Sequence, residues 1–410
     1  MVERAGPQPF RAWCVTWFAY ATYYMGRKSL SVSKKTLSSS LGLSEEQLGL
    51  IDSLYLAAYC VGQFGSGWLG DRIGARRLVG IGLFGSALAC ALFGAASGAL
   101  AFGALYFVNG LFQATGWPGT ARAMAEWTTP ENRGTVMAFW STCYQVGGIA
   151  ANWVAGALLV SYGWRSTFYG PALLLALMGG TVLLLLAPGP HAAELARASP
   201  AGERAAVRKA QLVVLKSAEL WSYGGCYFFI KFIRYALLFW LPYYLSTTRG
   251  YPGDVAAWVS SAFEIGGVAG VIGLGMYSDR ARHIPRARLS ALSLLGLALA
   301  LFAYTPLSAY GVTANSLSLA AIGALLFGPD ALLSGAAAQD AGGPHAAAAA
   351  TGLVNGVGSI GGMVAGLAVP QLSRSFGWNA LFPSLVGLAV LSAVMLVPGT
   401  MRVQRGQRGD

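Results

Sequence analysis

Arg27 and Arg234 each interrupt an apolar stretch long enough to cross a bilayer, and they lie about half of the 410-residue chain apart. An ionised side chain at membrane depth costs about 2.5–3.5 kcal/mol on insertion scales, so it faces a polar cavity and marks a ligand or ion path. Two such cations, one from each half, point to a central site for an anion. Residues three, four and seven apart share a helix face, so Tyr20, Tyr23, Tyr24 and Arg27 form one stripe, a candidate cavity wall. Lys28 is turned about 100° away from it, toward a neighbouring helix or the interface. Tyr227, Lys231 and Arg234 form a second cationic wall. A phosphate monoester carries about −1.5 to −2 charges near neutral pH, and a planar guanidinium holds its oxygens through two parallel hydrogen bonds. The competing arrangement neutralises each arginine with an intramembrane carboxylate, for which Glu264 and Asp330 are available.

The elements that carry these residues follow from composition. The chain is 55% hydrophobic and 11% charged, against about 25% charged residues in soluble proteins, which implies a polytopic membrane protein. A spanning helix needs about 20 apolar residues. Twelve segments meet this, at 13–36, 48–69, 78–97, 100–122, 135–160, 166–187, 217–246, 255–278, 289–306, 312–337, 347–372 and 378–399. The expectation is an all-α protein of two six-helix halves, 1–187 and 217–410, joined by a polar cytoplasmic linker at 188–216. No signal peptide is evident, because the chain runs directly from Met1 into its first span.

A net charge of +12 would suggest nucleic acid in a soluble protein, but the basic residues cluster in alternate loops, the positive-inside pattern. Arg72, Arg76 and Arg77, then Arg133, then Arg204, Arg208 and Lys209, then Arg280, Arg282, Arg286 and Arg288 fall on one side, with the termini. Both termini are therefore expected in the cytoplasm, and Lys34, Lys35, Arg165, Arg249 and Arg374 in the opposite loops. Five cysteines are scattered singly through apolar segments, and His191, His283 and His345 fall in predicted loops. Neither pattern suggests a disulfide framework, a metal site or a catalytic cluster, and no cofactor is implied.

Landmarks recur at an offset close to half the chain. Gly67-Trp-Leu-Gly-Asp71-Arg72 returns as Gly275-Met-Tyr-Ser-Asp279-Arg280, and the Ser161-Tyr-Gly-Trp164 stretch returns as Ser375-Phe-Gly-Trp378. Parallel repeats of this kind build one large transporter class with its substrate near the bilayer midplane. The pairs Gly147-Gly148, Gly266-Gly267 and Gly361-Gly362 are read as close helix contacts.

These motifs support a resemblance. Gly67-x-x-x-Asp71-Arg72-x-Gly74-x-Arg76-Arg77 is similar to the signature loop of the major facilitator superfamily, in which a carboxylate and guanidiniums latch onto helix ends. Within it, Tyr20-Ala-Thr-Tyr-Tyr-Met-Gly-Arg27-Lys28, Gly116-Trp117-Pro118-Gly119 and Arg234-Tyr-Ala-Leu-Leu-Phe-Trp240-Leu-Pro242 resemble spans 1, 4 and 7 of the organophosphate:phosphate antiporters. That is the family of bacterial glycerol-3-phosphate and hexose-6-phosphate transporters. Phe327-Gly-Pro329 and the region 352–362 resemble spans 10 and 11 of that family, and the region also looks like the eukaryotic sugar-phosphate exchangers of the endoplasmic reticulum. The resemblance runs from about Trp13 to Phe382.

The resemblance implies a span-8 carboxylate at Glu264 that forms a switchable salt bridge, and gating pairs drawn from Lys28, Asp71, Arg72, Arg76, Arg133, Asp279 and Arg280. Asp330 departs from it, standing where an uncharged residue is expected; it is read as pairing Lys231 or as taking up a proton. Tyr144 stands where the family often has histidine, and Gln63 where the bacterial carriers have lysine. With Gln145 and Tyr59, these two suit the hydroxyls of an organic moiety.

Three functions compete. The first is exchange of a phosphorylated sugar or three-carbon acid for inorganic phosphate, by a monomer in the bacterial inner membrane. The second is a sugar-phosphate sensor of the same fold, and the third a proton-coupled symporter of organic anions through Asp330 or Glu264. No nucleophile–base or metal cluster supports an enzyme.

Overall fold

The computed structural model describes residues 7–128, 136–137, 139–190, 214–281 and 283–397, and the elements among them are helical. They run α1 (Pro7–Leu41), α2 (Glu45–Ile73), α3 (Ala75–Ala95), α4 (Ala99–Gln113), α5 (Gly116–Trp127), α6 (Thr142–Tyr162) and α7 (Ser166–Leu185). After the linker come α8 (Ala218–Thr248), α9 (Gly253–Arg280), α10 (Arg286–Leu307), α11 (Val312–Leu332), α12 (Ala338–Phe376) and α13 (Leu381–Met395). Each of the twelve predicted spans is carried by one of these helices, the fourth by α4 and α5 in succession.

Nine helical stretches among the described residues are long and apolar enough to cross a membrane. The first, second and fourth spans fall outside that set for local reasons. α1 carries Arg27, Lys28, Lys34 and Lys35. α2 contains Glu45, Glu46 and Asp52. The fourth span breaks at Ala114 and Thr115, so neither piece is long by itself. Pro118 lies in the first turn of α5, where a missing N–H costs no intrahelical bond, and the Thr115 hydroxyl donates to the Phe112 carbonyl (2.8 Å) to close the break.

Two corrections to the sequence reading arise here. Lys34 and Lys35 are not loop residues: α1 continues to Leu41, and Lys34 is wholly buried. His345 lies inside α12, which starts nine residues before the predicted span at 347. In both cases the helix extends past its apolar part, which a hydropathy pattern cannot see.

By contacts the chain divides into a first unit, Met1–Ala198 with Leu245–Ser261, and a second, Ser199–Tyr244 with Ala262–Asp410. In the first, α1 lies along α6 and α7, α2 along α4, and α3 along α7. Phe93 stacks on Phe102 (4.4 Å) and Phe168 (4.2 Å) at its centre. In the second, Phe382 stacks on Tyr304 (3.8 Å) and meets Tyr244 edge-on (5.2 Å).

The duplication is visible in the backbone. Helix-bounding glycines with positive φ recur in matched pairs: Gly42 and Gly250 (68° and 70°), Gly98 and Gly311 (93° and 95°), Gly163 and Gly377 (81° and 76°). Any other residue would be strained there, so the two halves use the same turn at corresponding places. Between α2 and α3, Gly74 is the entire link, at φ 83°.

One glycine of each pair read as a packing position is at backbone contact. A Cβ on Gly266 would lie 1.9 Å from the Ala320 carbonyl, one on Gly361 2.0 Å from that of Phe228, and one on Gly147 2.6 Å from that of Ala21. Close backbone approach replaces the hydrophobic effect as the cohesion between helices in lipid. Gly266→Leu should therefore force α9 from α11 and lower the thermal midpoint of the purified protein, at a cost of about 1–3 kcal/mol or more for overpacking. Gly273→Leu, whose added Cβ meets nothing within 4 Å, should leave the midpoint near wild type in the same scan.

Candidate functional site

α1 is suspended from α4 by its own carbonyl groups. Tyr106, Asn109 and Gln113 occupy one face of α4 and donate to the carbonyls of Arg27 (2.8 Å), Gly26 (3.2 Å) and Tyr23 (2.9 Å). Ser86 of α3 ties this row together, donating to Asn109 Oδ1 (2.6 Å) and accepting from Gln113 Nε2 (3.0 Å). Buried polar groups that find partners in this way fix a unique arrangement of helices. The arrangement sets the height and rotation of Arg27.

The Arg27 guanidinium is buried, at 4% exposure. Its Nε donates to the Tyr55 hydroxyl (2.9 Å), and its carbon stands 4.5 Å from the ring centre of Tyr24 and 5.0 Å from that of Tyr59. Aromatic faces attract a cation through their quadrupole, more strongly when water is excluded. Nη2 has no hydrogen-bond partner, and no carboxylate pairs with Arg27 among the described residues. A buried guanidinium with an unfilled donor is arranged to receive an anion.

Tyr23, grouped with Arg27 from helical spacing, is turned into the packing: its hydroxyl meets the Val79 carbonyl (3.1 Å) and the Thr115 hydroxyl (2.9 Å). Tyr20 lies among the rings of Trp117 (5.5 Å) and Trp140 (5.6 Å). Gln63 is half-buried two turns along α2 from Tyr55, Tyr144 is half-buried against the first unit's core, and Gln145 and Lys28 are buried. Tyr55 escaped the sequence reading, although its spacing to Tyr59 and Gln63 places all three on one face of α2.

In the second unit Arg234 is neutralised. Its Nη1 donates to Asp330 Oδ2 at 2.9 Å, and its guanidinium lies 4.7 Å from the Phe327 ring centre. Asp330, read as available to neutralise an arginine, to pair Lys231 or to take up a proton, has Arg234 as its ion-pair partner. Lys231 Nζ instead stands over Tyr227 (5.2 Å) and Tyr235 (5.6 Å). Glu264 is buried on α9. Asp330 Oδ1 has no hydrogen-bond partner among the described residues.

The position of Asp330 has a local cause. Pro329 removes an N–H from α11, and the carbonyl left over at Leu325 accepts from the Ser293 hydroxyl of α10 (2.9 Å). A π-helical turn, Leu333–Ala337, follows at once, and the Ser334 hydroxyl donates back to the Asp330 carbonyl (2.6 Å). Wide turns of this sort re-aim side chains and gather at functional positions.

Among the latch residues, Arg76 donates to the Leu183 carbonyl in the last turn of α7, a guanidinium on a helix C-terminus. Asp279 accepts from Arg286 (3.4 Å), which also reaches Asp340 (3.2 Å), while Arg280 is exposed. Arg133 and the side chains of Asp71 and Arg72 lie outside the described residues.

Comparison with known proteins agrees with this architecture. Residues 16–366 match the family model of the Major Facilitator Superfamily. The chain is 30% identical to the glycerol-3-phosphate transporter of Bacillus subtilis (strain 168), over 92% of this chain and 89% of that protein. It is 30% identical to putative glycerol-3-phosphate transporter 2 of Arabidopsis thaliana, covering 93% and 84% respectively. It is 28% identical to the probable hexose phosphate transport protein of Chlamydia pneumoniae, covering 95% and 90%. In fold it resembles the crystal structures of a bacterial homolog of the human lysosomal transporter Spinster and of the D-xylose-proton symporter. Their TM-scores are 0.79 and 0.78, each at 15% identity, over 97% and 95% of this chain and 96% and 97% of theirs. The chain belongs to the Major Facilitator Superfamily of membrane transporters, in the family of the glycerol-3-phosphate and hexose phosphate transporters.

Proposed function

We propose that this protein exchanges an organophosphate, of the sugar phosphate, glycerol-3-phosphate or phosphoglycerate type, for inorganic phosphate by alternating access. The observation that carries the reading is the buried Arg27 guanidinium, bounded by tyrosines, with an unfilled donor and no carboxylate paired to it among the described residues. The names of its relatives support a phosphorylated substrate. Arg27 takes the phosphoryl oxygens in the empty carrier, and Arg234 joins once the anion competes Asp330 away; Lys231 adds positive charge. Tyr24, Tyr59, Gln63, Tyr144 and Gln145 face the organic part. Two cations bridged by one dianion favour reorientation of the loaded carrier over the empty one, which gives exchange. We further propose that 1–187 and 217–410 are the duplicated halves of a monomer in a bacterial inner membrane, with the 188–216 linker and both termini cytoplasmic.

The Arg234–Asp330 ion pair favours a second reading. If Asp330 is the acceptor of a coupling proton, protonation frees Arg234 for an anion, and an acid gradient drives accumulation without a counter-substrate.

Uptake of labelled phosphate into proteoliposomes preloaded with a panel of phosphate esters tests the class, and counterflow against one ester names it. Arg27→Lys should weaken phosphate binding about ten- to a hundredfold, since each charge-assisted hydrogen bond contributes about 1.5–3 kcal/mol and a point charge cannot reproduce a two-pronged grip. Wild-type exchange and affinity in Arg27→Lys would remove the anion site from α1.

Coupling is separated by net uptake into phosphate-free vesicles. An imposed acid gradient alone should drive little net uptake, and Asp330→Asn should leave phosphate self-exchange largely intact. Strong acid-driven accumulation that vanishes in Asp330→Asn would replace exchange by symport.

For orientation, single cysteines at positions 165 and 374 in a cysteine-free background should react with an impermeant maleimide from outside the cell. Labelling of position 165 from the cytoplasmic side alone would overturn the assignment of sides.

A further inference from the structure

α1 and α2 line the proposed anion site, yet each packs chiefly on other partners, α1 on α6 and α7 and α2 on α4. Two long side chains of α1 reach across to α2. One is Arg27, whose Nε donates to Tyr55. The other is Lys34, two turns further along the same face of α1, whose ammonium is paired with Asp52. Asp52 lies one turn before Tyr55 on α2. Lys34 and Asp52 have side-chain exposures of 0% and 1%, and Glu45 at the start of α2 is a further carboxylate that faces Lys34.

Neither the exchange chemistry nor the latch uses this pair. Burying two charges is costly, and a well-packed apolar pair of similar size is commonly as stable or more so. Cohesion alone therefore does not account for it. An ion pair differs from an apolar contact in direction and length: it holds one helix at a fixed register on another. Here the register decides whether Tyr55 reaches Arg27 Nε and whether Tyr59 lies under its guanidinium.

We propose that Lys34 and Asp52 are a positioning pair that sets the spacing and register of α1 against α2 and so presents Arg27 to its anion. The proposal rests on the anion-site reading given above. The pair touches no ligand; it acts through Arg27, Tyr55 and Tyr59.

The test uses the full chain, purified, in four forms: wild type, Lys34→Met/Asp52→Leu, the exchanged pair Lys34→Asp/Asp52→Lys, and the lengthened pair Lys34→Arg/Asp52→Glu. Binding of inorganic phosphate is measured by calorimetry beside the thermal midpoint. The α1–α2 distance is measured with spin labels on Phe18→Cys and Val61→Cys, two exposed positions, with the native cysteines replaced by alanine. In the apolar variant the midpoint should stay near wild type while phosphate binds about ten- to a hundredfold more weakly, the range that follows when the partners orienting a metal's ligands are removed. Its distance distribution should broaden, and the exchanged pair should recover both. If the apolar variant fails to fold, the lengthened pair, which keeps both charges, should shift the distance and weaken phosphate.

Wild-type affinity in a variant whose distance has changed overturns the proposal, and so does an unchanged distance. If wild type itself binds no phosphate, the anion-site reading falls; the label distance then decides alone, broadening sustaining the pair's hold on the two helices and no change overturning it.

Discussion

A buried guanidinium that pairs with no carboxylate among the described residues is the constraint around which the first unit is arranged. Arg27 costs free energy wherever it is dry, and the surrounding side chains lower that cost without cancelling the charge. The Tyr55 hydroxyl accepts one donor, and Tyr24 and Tyr59 offer ring faces. Uncharged acceptors leave the charge available to a ligand, whereas a carboxylate would consume it. The hydrogen bonds from α4 to the carbonyls of α1 serve the same end, because a cation held by weak aromatic contacts must be positioned by its backbone.

The two arginines are alike in sequence position and unlike in state. Arg234 has Asp330 at 2.9 Å, whereas Arg27 pairs with no carboxylate among the described residues. An anion can reach Arg27 by filling a donor, but at Arg234 it must compete with a carboxylate already in place. The duplicated backbone, with its matched positive-φ glycines, is therefore electrically asymmetric. Asp330 is the residue that makes it so, carried into place by Pro329 and the π turn that follows.

The fold was largely legible because apolar length, alternating basic loops and repeated landmarks are all one-dimensional signals. The boundaries that slipped lie where helices continue into polar sequence: Lys34 and Lys35 have the composition of a loop, and the ion pair that Lys34 makes with Asp52, on another helix, is not visible in that composition. Spacing alone put Tyr23 on the face of Arg27, but a stripe of three- and four-residue steps is wider than one cavity wall. Its edge at Tyr23 is claimed by Val79 and Thr115. Pairings between distant residues were the least legible part. Asp330 with Arg234 and Tyr55 with Arg27 depend on helix rotation, which hydropathy does not encode.

The same reasoning explains why charge appears in this membrane domain in two forms. At Lys34 and Asp52 opposite charges meet in an enclosed ion pair directed along a line between two helices, with Glu45 as a further carboxylate facing Lys34. At Arg27 the charge has no carboxylate among the described residues and sits between the Tyr24 and Tyr59 rings and the Tyr55 hydroxyl. A close ion pair gives direction, with its charges largely spent on each other, so it can brace α1 against α2 while leaving the anion to Arg27. An unmatched cation gives a field with little direction of its own, so it depends on such a brace. Separating the two tasks lets a site attract a multiply charged ligand while its walls stay in register, which one residue performing both could not do.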